Sequence, residues 1–420
     1  MKLFIKRDGV IVDPERYKWR VLGGAMVGYI FDAADFMVLA MIIPPIIQEW
    51  NVSLAAAGSI AMATLFGAAI GAYIWGPVSD KIGRKYSLAM CITVFSILSF
   101  CCGLSQTWEQ LITLRFIAGM GLGGAWVLGA ALITEYFPPH QRARGTTAVQ
   151  AAWPIGYAMV VVANLFITPV YGWRALFFFG ALGIFVAIYT LIFVPESPVW
   201  LKARENRKKG IISAESTNVA KAASWLELFK GPNLKVTLLC TALCTCILVS
   251  YWGTGAWIPA FLAQERDLNI RGLTWFLLAQ QGGAFLSFVI FGYVGDKVGR
   301  RSVFIIGGIT SAITVILYML APTPGLIFAA GVLWLFAATI FWGPLGATIG
   351  EQFSSNIRGI GISVAYGTGR IAAALAPFLM GGLADRYSLA FAIGLMAVFY
   401  LGITILGYVM RETKDTIVVD

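Results

Sequence analysis

Long apolar runs separated by short polar clusters repeat along the whole chain. Twelve of these runs reach the ~20 residues that a helix needs to cross the hydrocarbon core of a bilayer. They fall at about 21–47, 57–78, 87–104, 109–135, 146–168, 174–194, 234–262, 272–294, 302–320, 325–350, 359–382 and 389–410. The longest polar stretch, 196–233, lies between the sixth and seventh runs. The pattern therefore predicts an all-α integral membrane protein with an N-terminal six-helix bundle over 1–195, a cytoplasmic linker over 196–233 and a C-terminal six-helix bundle over 234–420. The first twenty residues are rich in charge, and the first apolar run is longer than a signal-peptide core. The first helix thus reads as a retained anchor.

Composition sharpens this picture. Hydrophobic residues make up 59% of the 420 residues and charged residues only 12%, about half the charge of a soluble domain. The net charge of +10 could be taken for a nucleic-acid footprint, but the basic residues sit in short loops. Lys81, Arg84, Lys85, Arg142, Arg144, Lys297, Arg300, Arg301, Arg358, Arg411 and Lys414 share one side with the basic N-terminal tail and linker. The other side holds Arg174, Arg266, Arg271 and Arg386. This bias places both termini and the linker in the cytoplasm of a plasma (inner) membrane. No nucleic-acid partner is expected. The six cysteines all fall inside apolar runs and read as packing residues rather than a disulfide framework or metal site.

The two halves repeat. Gly76-Pro-Val-Ser-Asp80-Lys-Ile-Gly83-Arg84-Lys85 recurs as Gly292-Tyr-Val-Gly-Asp296-Lys-Val-Gly299-Arg300-Arg301, 216 positions on. Glu135 and Arg142 recur at the same offset as Glu351 and Arg358, and Tyr171 as Tyr387. A parallel duplication of six spans places a solute site near mid-membrane between halves that rock around it.

Ionisable residues inside spans are expensive unless paired or wet, which singles out Asp32, Asp35, Arg115 and Arg370. Asp32 and Asp35 share a face of the first helix, near mid-membrane by helical rise. Two neighbouring carboxylates in a low dielectric resist being charged together, so one of them can take and release a proton near neutral pH. Arg115, on the fourth helix, is within reach of them, either as a counter-ion that moves with the proton or as a permanent structural partner. Arg370 lies halfway along the eleventh helix. No acid of the second half stands at similar depth, so its partner is a substrate anion, a cross-half pair with Asp32 or Asp35, or backbone carbonyls. Tyr366, Gln150, Gln280, Gln281 and Trp342 are further substrate-site candidates, and Asn164 is a candidate polar liner alongside the glutamines. Trp126, Trp153, Trp252, Trp257 and Trp334 are expected chiefly at interfaces or against lipid, with a few left to line a cavity and stack on a ring. Pro154, Pro259, Pro344 and Pro377 interrupt helices and mark hinges. At the loop motifs, Asp80, Arg84, Glu135 and Arg142, with Asp296, Arg300, Glu351 and Arg358, form a cytoplasmic gate of half-exposed pairs. Each such pair is worth ~1 kcal/mol or less, weak enough to break in every cycle. His140 reads as a solvated loop residue.

These motifs resemble the major facilitator superfamily over essentially the full length, because the duplicated Gly-x-x-x-Asp-x-x-Gly-Arg-Arg/Lys loops are its signature. Asp32-Ala-Ala-Asp35-Phe36 and Arg115-Phe-Ile-Ala-Gly119-Met-Gly121-Leu-Gly123-Gly124 are similar to the first and fourth helices of its aromatic-acid and sialate proton symporters. Gly369-Arg370 with Pro377 looks like the eleventh helix of the aromatic-acid group. Gly172-Trp173-Arg174 and Pro195-Glu196-Ser197-Pro198 are shared with sugar porters. The resemblance implies that Asp35 and Arg115 form the proton-coupling pair. The segment departs from Asp-Gly-x-Asp in lacking the glycine after Asp32. The fifth helix has Trp153-Pro154-Ile-Gly156 in place of the glycine-rich segment of drug antiporters, which points towards uptake.

The expected function is a proton-coupled symporter that imports a monocarboxylate, aromatic acid or sugar acid by alternating access, acting as a monomer. The alternatives are a proton-coupled sugar or polyol symporter, in which Arg370 is structural, and a membrane sensor that binds solute without moving it. No Walker loop, nucleophile elbow or His/Cys cluster points to an enzyme. The expected energy source is the proton gradient, with no cofactor and no metal.

Overall fold

The computed structural model describes residues 5–7, 10–12, 14–137, 139–208, 225–354 and 357–412. A short antiparallel ribbon pairs Ile5–Arg7 with Val10–Val12 ahead of the helices. Among the described residues twelve helices are then long and apolar enough to cross a membrane. They are numbered in chain order as spans 1 to 12: Tyr17–Trp50, Leu54–Ile82, Arg84–Gly103, Trp108–Tyr136, Gly145–Tyr171, Arg174–Phe193, Gly231–Gln264, Ile270–Phe291, Arg300–Leu320, Pro324–Gly346, Ile360–Arg386 and Leu389–Val409. Between spans 6 and 7 lie a helix, Pro198–Lys208, and a single 3-10 turn, Trp225–Phe229.

With an even number of crossings, both ends of the chain lie on one face, called here the basic face after its loops. On the opposite face five of the six helix starts are capped locally, that of span 6 being the exception. Ser53, Thr107, Asn269, Thr323 and Ser388 each accept a hydrogen bond from a backbone N–H three residues on. These caps satisfy donors that the helix itself leaves unpaired.

On the basic face, spans 3 and 9 begin differently. Gly83 (φ 110°) and Gly299 (φ 100°) hold backbone conformations closed to most side chains, and each turns the chain sharply into the next helix. The caps then come from far along the chain. Glu196 Oε1 accepts from the N–H groups of Arg84 (2.9 Å) and Lys85 (3.1 Å). Glu412 accepts from those of Arg300 (3.0 Å) and Arg301 (3.1 Å). The two glutamates are themselves 216 positions apart, so the end of each six-helix unit clasps the start of its own third helix. An anion at a helix N-terminus is favoured by the dipole as well as by the bonds.

Several spans are not continuous helices. Span 7 breaks between Gly255 and Ile258, and span 10 between Ala338 and Trp342. Pro154, Pro259 and Pro344 fall in the first turn of a resumed segment, where a missing N–H leaves nothing unpaired. They mark breaks already made. Pro377 lies inside the unbroken helix Arg358–Arg386, and its carbonyl accepts from Trp257 Nε1 at 3.0 Å.

The halves meet most tightly towards the opposite face, where span 2 lies against span 11. A Cβ on Gly58 would stand 2.5 Å from the Pro377 carbonyl oxygen, and one on Gly381 2.5 Å from that of Leu54. Only glycine permits so close an approach of two backbones. Asp385, near the end of span 11, then accepts from Leu54 N (2.9 Å) and Ala55 N (3.0 Å) at the start of span 2. Glycine contact and cross-half cap together shut this face.

Gly58→Leu should hold the two helices apart and leave this face open. A cysteine placed at Leu54 would then react several-fold faster with an impermeant maleimide added on that side, and transport would fall to background. Unchanged labelling would show that the contact does not close the face.

Candidate transport site

The chamber is assembled from broken and unbroken helices at mid-depth. Asp32 sits on span 1 with Tyr29 and Phe36 one turn either side, so all three share a face. Leu122 and Trp126 come from span 4, Gln150 and Trp153 from span 5, Tyr251 and Trp252 from span 7, and Phe288 from span 8. Trp342 opens the second segment of span 10, and Tyr366 and Arg370 stand one turn apart on span 11. These residues line a chamber of about 50 Å³ between the halves, tighter in this conformation than the ~300–1,000 Å³ of typical small-molecule sites.

The walls are chiefly aromatic. Phe36 lies 4.5 Å from Trp252, Tyr29 5.4 Å from Trp153, Tyr251 5.2 Å from Trp342, and Trp126 stacks on Tyr366 at 5.9 Å and 23°. Trp153 Nε1 donates to Tyr251 Oη at 2.9 Å, joining the halves across the chamber. Polar groups are few. Asp32 is 4% exposed, and its Oδ1 has no hydrogen-bond partner; Trp342 Nε1 has none either. Among the described residues Arg370 forms no ion pair. One acid, one base and one amide thus face a space walled chiefly by tyrosine, tryptophan and phenylalanine rings.

Asp35 and Arg115 are close by but sealed away from that space. Arg115 Nη1 donates to Asp35 Oδ2 at 2.9 Å, and neither side chain is exposed at all. Arg115 also donates to the Asp35 carbonyl and to Thr64 Oγ1, and its guanidinium lies over the Phe177 ring at 5.7 Å. A charged pair this deeply buried survives only because each partner neutralises the other. Arg115 is thus paired with Asp35, the acid that the resemblance set beside it, and Asp32 is left facing the chamber.

A second, wider cavity continues towards the basic face. It is lined by Tyr73, Gly76 and Pro77 of span 2, Leu345 and Ile349 of span 10, and Ile362 and Ser363 at the start of span 11. Trp126, Gln150, Trp342, Tyr366 and Arg370 line both spaces and form the partition between them. The molecule is thus closed on one face and indented on the other.

The other candidates are distributed unevenly. Tyr366, Gln150 and Trp342 line the chamber with Arg370, but Gln280 and Gln281 do not. Gln280 is buried and donates to Tyr318 Oη at 2.7 Å within the second half, so it serves packing there. Asn164 accepts from Thr168 on its own helix. Among the tryptophans expected at interfaces, Trp126, Trp153 and Trp252 face the chamber, whereas Trp257 and Trp334 are core. Tyr29, Phe36, Tyr251 and Phe288 were not foreseen. For Tyr29 and Phe36 the signal was present, in their helical spacing from Asp32.

At the loop motifs, Arg84 bonds Asp80 at 2.7 Å and Glu135 at 3.2 Å, and Arg300 stands 3.6 Å from Glu351. Each of these pairs lies within one half. They brace the helices of their own bundle against each other. Arg142, Asp296 and Arg358 have side chains outside the described ones.

A closed face, an indented face and a charged chamber between two repeated bundles are the geometry of an alternating-access carrier. The profile of the Major Facilitator Superfamily matches residues 25–282 and 272–417, and the chain belongs to that superfamily. It is a multi-pass membrane transporter, not an enzyme. The chain is 30% identical over 377 residues to the cis,cis-muconate transport protein of Acinetobacter baylyi, covering 90% of each. It is 26% identical to the benzoate transport protein of the same organism, covering 87% of this chain and 84% of that one. Among solved structures it superposes with a TM-score of 0.74 on the xylose transporter of E. coli in its inward open conformation, at 21% identity and covering 95% and 98%. That likeness supports the fold.

Arg115→Met alone should leave Asp35 as an uncompensated buried charge and destabilise the protein by ~3–5 kcal/mol. Combining it with Asp35→Asn should recover most of that loss. Thermal unfolding in detergent would show a large fall in Tm for the single variant and a much smaller one for the pair. Equal falls would mean that the two groups do not depend on each other.

Proposed function

We propose that the protein is a proton-coupled importer of a small organic anion, with a ring-bearing monocarboxylate as preferred cargo. In this reading it lies in a bacterial inner membrane with both termini and the linker cytoplasmic, following the Lys and Arg bias. The cavity on the basic face is then the cytoplasmic vestibule, and the described conformation faces inward.

The observation that carries the reading is Arg370. It is a permanent cation lining a buried chamber, and it has no ion-pair partner among the described residues. A guanidinium in such a place is a fork waiting for a carboxylate. Around it, stacked and tilted aromatic rings offer faces to a planar body. A sugar would need a hydrogen-bond partner for each hydroxyl, and the chamber supplies one amide, three phenols and four indoles, with Trp153 and Tyr251 already bonded to each other. The relatives named for muconate and benzoate transport agree with an organic-anion cargo. Protonation at the Asp32/Asp35 cluster from outside drives import, because a buried carboxylate that alternates between two environments must bind and release its proton in turn.

The test is proton flux in liposomes holding a pH-sensitive dye, with organic acids and neutral sugars added singly. One or more acids should alkalinise the outside. Arg370→Ala should raise KM about 10–100-fold, the worth of a lost charge-assisted bond, with Arg370→Lys intermediate. Near-normal acid transport by Arg370→Ala, or a response to sugars alone, would overturn the anion reading. Binding without counterflow of labelled solute would make the protein a sensor.

A further inference from the structure

The chamber presents one acid and one base to its cargo, and the arithmetic of their charges has a definite outcome. Asp32 reaches the chamber from span 1 with Oδ1 unpartnered, and Arg370 faces it from span 11. The other titratable groups around Asp32 are Tyr366 of span 11, Tyr251 of span 7, Cys91 of span 3, and Tyr29 and Asp35 of its own helix. None of these is a cation. Arg115 of span 4 is the next positive group, and it is held by Asp35 at 2.9 Å with both side chains fully buried. Asp35 Oδ1, like Asp32 Oδ1, lacks a partner, but a proton on Asp35 would leave the arginine charge uncompensated in the core. A proton on Asp32 leaves no such orphan once an anion stands beside Arg370.

The four loading states then differ in net chamber charge. Empty, with Asp32 ionised against Arg370, the chamber is neutral. With a proton alone it is +1, and with a monovalent anion alone it is −1. With both it is neutral again. Burying an unmatched charge at mid-membrane is strongly disfavoured, so only the empty and the fully loaded chambers can close and turn.

Building on the anion reading above, we infer that Asp32 alone carries the coupled proton. It and the cargo carboxylate are alternative counter-ions of Arg370, and one proton enters with each monovalent anion. The proton leaves hydronium outside and bonds a carboxylate oxygen of Asp32. On the inner side that O–H bond breaks, the proton passes to water, and the Asp32 carboxylate again balances Arg370 from across the chamber as the anion departs. Asp35 and Arg115 keep their charges throughout and act as positioning residues. The whole step is electroneutral.

The test uses full-length protein in liposomes, with benzoate and nicotinate as monovalent probes and protein-free vesicles subtracted. Three proteins are compared: wild type, Asp32→Asn, and the double variant Asp35→Asn with Arg115→Met. Uptake by wild type should rise up to ~10-fold per unit of external acidification, as one binding proton requires, and should not respond to an imposed potential. Asp32→Asn, whatever its rate, should move no protons and vary less than ~2-fold across the same range. The double variant should keep the wild-type pH slope. Proton flux in Asp32→Asn, or loss of the slope in the double variant, would overturn the assignment to Asp32. Accumulation raised ~50-fold at −100 mV, the figure for one net charge, would overturn the one-to-one ratio. In each of these outcomes acid transport itself survives, so the anion reading stands. Wild-type protein that moves xylose but neither acid overturns both.

Discussion

A formal charge at the centre of a bilayer has almost no solvent to stabilise it, so it must be matched by an opposite charge or cease to be a charge. The architecture around the chamber is an answer to that demand. Arg115 meets it permanently, through Asp35, Thr64 and the face of Phe177. Arg370 meets it conditionally, because what faces it across the chamber is a single carboxylate in an aromatic wall. The first arginine fixes where span 4 stands against spans 1 and 2. The second leaves span 11 with a charge that forms no ion pair among the described residues.

The two faces of the molecule solve the problem of opening and closing in different materials. On the opposite face, closure is made by backbones: glycines at 58 and 381 bring spans 2 and 11 into contact, and Asp385 caps a helix that belongs to the other half. On the basic face, the charged residues that look like a lock serve their own bundles, through Arg84 with Asp80 and Glu135 and through Arg300 with Glu351. The partition beneath the chamber is aromatic, with Trp126 of one half stacked on Tyr366 of the other. Under the proposed alternating access, opening the opposite face would break the two helix-cap bonds of Asp385, and closing the basic face would rearrange ring contacts.

The twelve spans were legible to within a few residues, because apolar run length is the feature that a bilayer selects directly. The depth of Asp32, Asp35, Arg115 and Arg370 was legible for the same reason: rise per residue converts position into height. What height does not give is azimuth over long distances. Gln280 and Gln281 were at a suitable depth, yet Gln280 turns to Tyr318. Trp126, Trp153 and Trp252 were expected at the interface by residue type, but their place halfway along their spans decided otherwise. Glu196 and Glu412 passed unrecognised as caps, since their partners are backbone N–H groups more than a hundred residues away and a backbone donor leaves no mark in a sequence.

Those two glutamates bear on how the polypeptide is made. Each closes its own bundle: the residue that ends a six-helix unit returns to the turn after that unit's second helix, at Gly83 or Gly299. While the second unit is still being synthesised, the first already possesses every partner of this clasp, so it can set its third helix without waiting for the rest. Maturation then becomes the docking of two finished pieces, with span 2 meeting span 11 last.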